Sequence, residues 1–366
     1  MPPVTISNAC ARESLYDRFR ADLRNIQADG PGFGKAYPID LFFCYRLLLQ
    51  RHPEFFDLDT FEAHTSIMNL QAVVKGFLDS EEFHQRQDLA RTGLPEVPVI
   101  CETNLGFRLY FYLSDTFVGW GVARGAYESP LTAAIQAAVR PGMVCCDLGA
   151  NIGFFTLLMS KLAGSSGLVF AFEPFPKNFA LLQKSIAENK IHNIRAFPYA
   201  VHEKESVGRL FYTRATQSEY VGMFVAEPSS PACTDAFDGL DIAKVRLDDI
   251  IPADCKVGCI KMDIEGSELY AVKGMSRILE RDRPLVFFEF NPYCLKKVNG
   301  LDPNELLRIF KSYGYKLVSI EQFGKSTTTE FVYAPEIDEY HVSNLAAVPQ
   351  DSKSPGALFS LFRRQE

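Results

Sequence analysis

Apolar positions follow two rhythms along this chain. The change comes at Leu94–Val99, where LPEVPV sets two prolines between a helical pattern and the first strand pattern. Before that point Leu41, Tyr45, Leu48 and Leu49 form one helical stripe, and Val73, Val74, Phe77 and Leu78 another. Ser80 then starts a short further helix as its N-cap. The spacing predicts an all-helical module over residues 1–95. After it, strand-like runs at Arg108–Leu113, Val144–Leu148, Leu168–Phe172, Ile194–Ala200, Cys259–Ile264 and Leu285–Phe290 alternate with helical patterns. The helical patterns are Phe154–Leu162, Lys177–Asn189, Glu268–Leu279 and Pro303–Tyr313. Apolar strands separated by amphipathic helices predict βαβ units, hence an α/β domain with a doubly wound, mainly parallel sheet over residues 96–340. A hairpin is expected as an insertion at Val207–Ala226, and a terminal antiparallel pair at Lys316–Glu321 and Glu330–Ala334. Residues 341–366 read as a flexible tail whose last stretch, ALFSLFRRQE, has the pattern of a short amphipathic helix.

Composition narrows the classes without choosing among them. A hydrophobic fraction of 47% and a charged fraction of 23% in 366 residues fit an ordinary globular protein. The net charge of −7 argues against nucleic acid as the partner. Nine cysteines, scattered and odd in number, do not make a disulfide framework, and no second pair or histidine completes a zinc site around Cys255 and Cys259. The opening residues lack an apolar signal core, and no apolar run reaches the roughly 18–20 residues of a membrane span. A reduced cytoplasmic location is therefore expected, with docking at the inner membrane as a variant.

The chemistry concentrates where a strand turns into a helix, at Asp147-Leu-Gly-Ala-Asn-Ile-Gly153. In an open α/β sheet a nucleotide-like ligand binds at such a turn, over the carboxyl ends of the strands. Gly149 and Gly153 allow a sharp bend and a close backbone approach to a ligand. Aligned on the dinucleotide fingerprint G-x-G-x-x-G, however, Asn151 replaces the second glycine and Phe154 the third. A side chain at Asn151 would crowd a pyrophosphate, whereas an adenosyl sulfonium carries none. S-adenosylmethionine is thus favoured over NAD. Glu173 closes the next strand about twenty residues on, where a ribose-binding carboxylate belongs, although it also precedes Pro174 as a helix N-terminal acid. Asp147 has two readings, orienting the methionine amino group or bracing the turn.

These residues carry a resemblance. The stretch from about Gly125 to Pro292 is similar to the FkbM family of S-adenosylmethionine-dependent methyltransferases. The matching segments are GAYE (Gly125–Glu128), Arg140–Lys190 with the turn, VRLDDII (Val245–Ile251), IKMDIEGSELYAVKGM (Ile260–Met275) and VFFEFNP (Val286–Pro292). The resemblance implies a class I methyltransferase, Rossmann-like sheet ending in an antiparallel hairpin. It also implies methyl transfer to oxygen, commonly a hydroxyl of a sugar, glycolipid, surface polysaccharide or polyketide. Glu128 matches a family position near the expected pocket and is counted with the cofactor contacts.

Methyl transfer to an alcohol requires alignment and a base or a metal. Asp263 and Glu265 follow one strand and Glu289 ends the next, so the three can converge on the cofactor side. Like charges packed together raise one another's pKa, which suits a base; alternatively the trio holds a divalent cation such as Mg2+, or merely caps the turn at Gly266. The choice of base between Asp263 and Glu289 is open. Glu268 reads as an acid of the first helical turn, and His202 is a weaker catalytic candidate. The segments Phe42–Pro53 and Val74–Phe83 resemble a small bacterial helical module of unknown function, found in surface-associated proteins and beside glycan-modifying enzymes. That resemblance implies a bacterial source and a glycan context. It makes residues 1–95 a candidate for acceptor docking, self-association or an envelope-biosynthesis partner.

Overall fold

The computed structural model describes residues 98–350 except 113–114, 116–117, 124, 126, 214–222, 227–236, 321–329 and 334–341. All of these lie in the second of the two units into which the chain divides, Glu96–Glu366. The predicted N-terminal helical module and the terminal amphipathic helix fall outside the described residues.

A seven-stranded sheet organises this unit. Its strands are β3 (Val144–Leu148), β4 (Leu168–Phe172), β5 (Ile194–Phe197), β10 (Val257–Met262), β11 (Leu285–Phe290), β12 (Tyr315–Ser319) and β13 (Ser343–Pro349), in the order β12-β13-β11-β10-β3-β4-β5. β11, β10, β3, β4 and β5 run parallel, and β13 lies antiparallel between β11 and β12. This is the α/β, class I methyltransferase arrangement expected from the sequence. Because successive strand residues face opposite sides, Cys145 and Cys146 enter different cores. Cys145 joins the layer containing α2 (Ser129–Ala138), α3 (Phe154–Ala163) and α4 (Pro176–Glu188). Cys146 joins the layer containing α5 (Leu247–Ile250), α6 (Glu268–Gly274), α7 (Ser276–Arg281) and α8 (Pro303–Ser312). Apolar burial on both faces is why these strands read as unbroken hydrophobic runs. A short α1 (Val118–Ala123) and the β1 (Pro98–Glu102)–β2 (Arg108–Tyr112) hairpin complete the first layer. All six described cysteines are free thiols, and no described helix is long and apolar enough to cross a membrane.

Three expectations need correction, and a fourth, the inserted hairpin, is extended. The strand predicted over Ile194–Ala200 is two strands in two sheets. β5 pairs with β4, while β6 (Tyr199–Val201) pairs with β9 (Phe237–Val245). Pro198, which has no N–H to donate, stands at the division. The inserted hairpin, β7 (Ser206–Thr213) with β8 (Met223–Ala226), is real but belongs to a four-stranded sheet ordered β6-β9-β7-β8. The helix predicted over Glu268–Leu279 breaks between α6 and α7. The carbonyl of His202 crosses at Gly274 so closely that a Cβ there would lie 2.0 Å from it.

The largest correction concerns the end of the sheet. The ladder partner of β12 is β13; Glu330–Ala334, of which the described residues 330–333 are not strand, touches β12 through Phe331 N, which donates to Leu317 O (2.9 Å). Ser343–Pro349, assigned to a flexible tail, is an almost wholly buried interior strand. Its sequence, SNLAAVP, is poor in β-branched and aromatic residues and lacks alternation, so neither strand signal marks it.

Candidate active site

The turn after β3 is held by its own amides. Gly149 N and Ala150 N both donate to Phe172 O (3.0 and 2.9 Å), and Gly153 N donates to Ala150 O (2.9 Å). Asn151 N donates to Glu173 Oε2 (2.7 Å), and Ile152 N donates to Oδ1 of Asn151 itself (2.8 Å). Every amide from Gly149 to Gly153 is therefore satisfied within the chain, and a pyrophosphate would find none of them free. Asn151, in a left-handed conformation (φ 51°), also accepts from Asn178 Nδ2 at 3.0 Å. The residues fit a phosphate-free nucleoside ligand and not a dinucleotide.

Gly149 is required for a reason other than ligand approach. At φ 77°, a Cβ on Gly149 would lie 1.9 Å from the carbonyl oxygen of Asp263, so the end of β10 fills the space the glycine leaves. Gly153 likewise faces Leu182 Cδ1, 2.5 Å from where its Cβ would be. Glu173 is buried. Its Oε1 accepts from Phe175 N at 2.8 Å, so each carboxylate oxygen holds one amide and keeps a lone pair for a further donor. Burial pushes its carboxyl up to about 7 against those two stabilising amides. Asp147 is fully buried, and its Oδ2 accepts from Thr156 Oγ1 at 2.6 Å. Burial raises this carboxyl, while Lys261 and Thr156 oppose the rise.

The acids expected to converge do so. Asp263, Glu265 and Glu289 each offer an oxygen within 4.8 Å of the others'. Asp263 follows β10, and its N–H donates to Leu148 O (3.0 Å), which anchors the cluster to the end of β3. Glu265 takes a left-handed conformation (φ 50°) ahead of Gly266, whose missing Cβ makes room for the backbone of Cys294. Its Oε2 lies 3.6 Å from Cys294 Sγ. Glu289 stands near the end of β11 with a buried Oε2 that has no hydrogen-bond partner. Burial, then the charge of Asp263, pushes both glutamates far above the usual carboxylate range. Turn capping is the work of Glu268, whose Oε1 accepts from Ile264 N (3.2 Å) and Gly266 N (3.3 Å).

Glu128 lies beside this acid group. Its Oε2 accepts from Asn344 Nδ2 (3.0 Å), and Asn344 is the register partner of Glu289. Burial and Asp263 raise its carboxyl. His202 stacks on Tyr270 (ring centroids 4.4 Å apart), and burial lowers it to about 4, so it is a neutral packing residue. Two residues were passed over in the sequence. Tyr127, in the GAYE segment, packs its ring on Phe154 and Phe155, and burial beside Asp263 and Glu128 keeps its phenol protonated. Lys261 is a buried cation in an otherwise apolar strand, with its ammonium 3.0 Å from Gly149 O, 3.5 Å from Asp263 and 3.7 Å from Asp147. The signal was the lone charge in VGCIKM.

The family model of the Methyltransferase FkbM domain matches residues 147–317, which begin at Asp147 and include the whole acid group except Glu128. Among curated relatives, 31-O-demethyl-FK506 methyltransferase FkbM of Streptomyces tacrolimicus is 26% identical over 211 residues, covering 50% of this chain and 75% of that protein. Methyltransferase 1 of Beauveria bassiana is 26% identical over 145 residues; the match covers 35% of this chain and only 57% of that protein. A solved methyltransferase FkbM from Methylobacillus flagellatus KT aligns at 16% identity with a TM-score of 0.36, covering 83% of this chain and 58% of that one. Residues 147–317 thus match the methyltransferase domain of the FkbM family, and the α/β unit that contains them is similar to FkbM-type methyltransferases.

Proposed function

We propose that the chain is an S-adenosylmethionine-dependent O-methyltransferase whose acceptor is a hydroxyl of a bacterial saccharide, glycolipid or surface polysaccharide. The observation that carries transfer to oxygen is the meeting of Asp263, Glu265 and Glu289 beside the β3 turn, with one oxygen of Glu289 buried and unpaired. A hydroxyl needs a positioned base, and a base works best with a pKa raised toward the operating pH. In this reading Glu265 and Glu289 share a proton and would receive the one the hydroxyl releases as its oxygen takes the methyl group and the methyl–sulfur bond breaks, leaving adenosylhomocysteine. Bound adenosylmethionine supplies the activated methyl group. Asp147 and the Gly149–Gly153 turn hold and orient the cofactor, and Glu173 offers its remaining lone pairs to the ribose hydroxyls. Glu128, fixed by Asn344, borders the acceptor.

The name of the Streptomyces relative, a 31-O-demethyl-FK506 methyltransferase, supports transfer to oxygen and also favours a second reading, a polyketide or other small-molecule acceptor. The saccharide reading rests on the resemblance of residues 1–95 to a module found beside glycan-modifying enzymes, and a cytoplasmic site of action goes with it. The three carboxylates also suit a hard cation such as Mg2+. Chelator would then abolish turnover and Mg2+ restore it, whereas indifference to chelator leaves a protein base. Incubation with labelled adenosylmethionine and fractionated glycan extracts tests the acceptor. Label in a glycan supports the first reading, and label confined to polyketide fractions the second. Failure of the purified protein to bind adenosylhomocysteine in a calorimeter would instead favour a binding or scaffold protein on this fold.

A further inference from the structure

We propose that Lys261 is a positioning residue for methyl transfer, an internal counter-cation that locks Asp263 and the acid group onto the cofactor turn. This inference deepens the function proposed above and rests on it. Lys261 is 4% exposed and is the register partner of Asp147 across β10 and β3. It shares a strand face with Cys259, in the apolar layer against α3. A lysine is kept in such a place only by close, specific partners. Its ammonium donates to the Gly149 carbonyl (3.0 Å), pairs with Asp263 (3.5 Å) and Asp147 (3.7 Å), and lies 5.4 Å from the centre of the Phe155 ring. Asp147 Oδ1 is buried, makes no hydrogen bond, and faces this ammonium.

The contacts join the two halves of the site. Gly149 and Asp147 belong to the turn assigned to the cofactor, and Asp263 belongs to the acid group. The backbone already brings these halves together, since the Asp263 carbonyl fills the space of the absent Gly149 side chain and the Asp263 amide donates to Leu148. Backbone contacts set the path of the chain; they do not fix where the Asp263 carboxylate points or offset its charge. Lys261 does both. A metal ion at the acids and the ammonium of Lys261 would compete for the same negative charge, and this gives the role a signature that mere structural support lacks.

The full-length chain and its Lys261→Met and Lys261→Arg variants are to be titrated with adenosylhomocysteine by calorimetry and with Mn2+ by electron paramagnetic resonance. In Lys261→Met, adenosylhomocysteine affinity is expected to fall at least tenfold while Mn2+ affinity rises at least tenfold. Lys261→Arg is expected to restore both toward the parent values. A loss of adenosylhomocysteine affinity without a gain for Mn2+ would mean ordinary structural support and overturns the proposal, as does nucleotide affinity within twofold of the parent. Should Lys261→Met not fold, Lys261→Gln, which removes the charge but can still donate to the Gly149 carbonyl, decides in the same way. If the parent protein does not bind adenosylhomocysteine, the cofactor reading fails, and the Mn2+ comparison alone decides the counter-cation role.

Discussion

The two halves of the site solve opposite problems. In the β3 turn every amide from Gly149 to Gly153 has its acceptor inside the chain, and the carboxylates that brace it, Asp147 and Glu173, accept hydrogen bonds in return. Around Glu265 and Glu289 the requirements conflict. Like charges crowd together and a buried Glu289 oxygen has no donor, whereas the one unbonded oxygen of the turn's acids, Asp147 Oδ1, faces the ammonium of Lys261. A binding surface gains from being satisfied in advance, since nothing needs rearranging when the ligand arrives. A group that must accept a proton is kept ready by leaving part of its demand unmet. The mutual repulsion on the acid side is offset by the packing of β10, β11 and the turn beneath them.

Substitutions can break the contrast, and the largest effect is expected at the acids. Glu265→Gln should lower methyl transfer by about 10²–10⁴-fold, the usual contribution of a positioned base. Adenosylhomocysteine affinity should stay within twofold, because Glu265 touches no part of the turn. A parallel loss of affinity, measured by calorimetry, would show that the two halves do not divide the work as described. Gly149→Ala comes next. Its methyl group would collide with the Asp263 carbonyl at a positive φ, so a loss of about 3 kcal/mol in a denaturant titration is expected. Near-parental stability would mean the strand end can move aside. Glu173→Ala should weaken adenosylhomocysteine by about tenfold, or ~1.4 kcal/mol.

The smallest effect has the most telling sign. Glu289 is ionised above about pH 4.3 in the unfolded chain but holds its proton far above that in the folded one. Between those values the native state binds more protons than the unfolded state. This group's contribution to stability therefore falls as pH rises. Glu289→Gln removes that penalty. It should raise Tm by ~2–4 °C at pH 8, raise it less at pH 5, and slow turnover. A gain independent of pH would mean that ionisation of Glu289 is not what costs stability.

Much of this arrangement was legible in the chain. β3, β4 and β11 begin and end where their apolar runs do, because strands buried on both faces need unbroken hydrophobic sequence. The turn and acids were legible because a nucleoside ligand demands glycines at fixed offsets, and proton transfer beside it demands acids at strand ends. Residues whose meaning depends on a distant partner were not. Lys261 looks like an ordinary lysine until Asp147, more than a hundred positions earlier, is placed beside it. Gly274 gives no hint that the His202 carbonyl will cross it. Gly149 was found for the wrong partner, since its space is taken by Asp263 and not by a ligand. β13 escaped because alanine and asparagine carry little strand preference of their own; β11 and β12 on either side supply the pairing that makes it a strand.

That strand has a consequence for how the protein comes into being. β11 leaves the ribosome long before its neighbour β13, and β12 emerges between them. Until Ser343–Pro349 has been made, both present unpaired edges that could join each other or another chain. The last piece of the sheet to be synthesised therefore inserts into its interior, and it carries Asn344, the residue that grips Glu128. Nascent chains should gain a working acid group late and in one step, after an interval in which the open gap makes them most prone to aggregate.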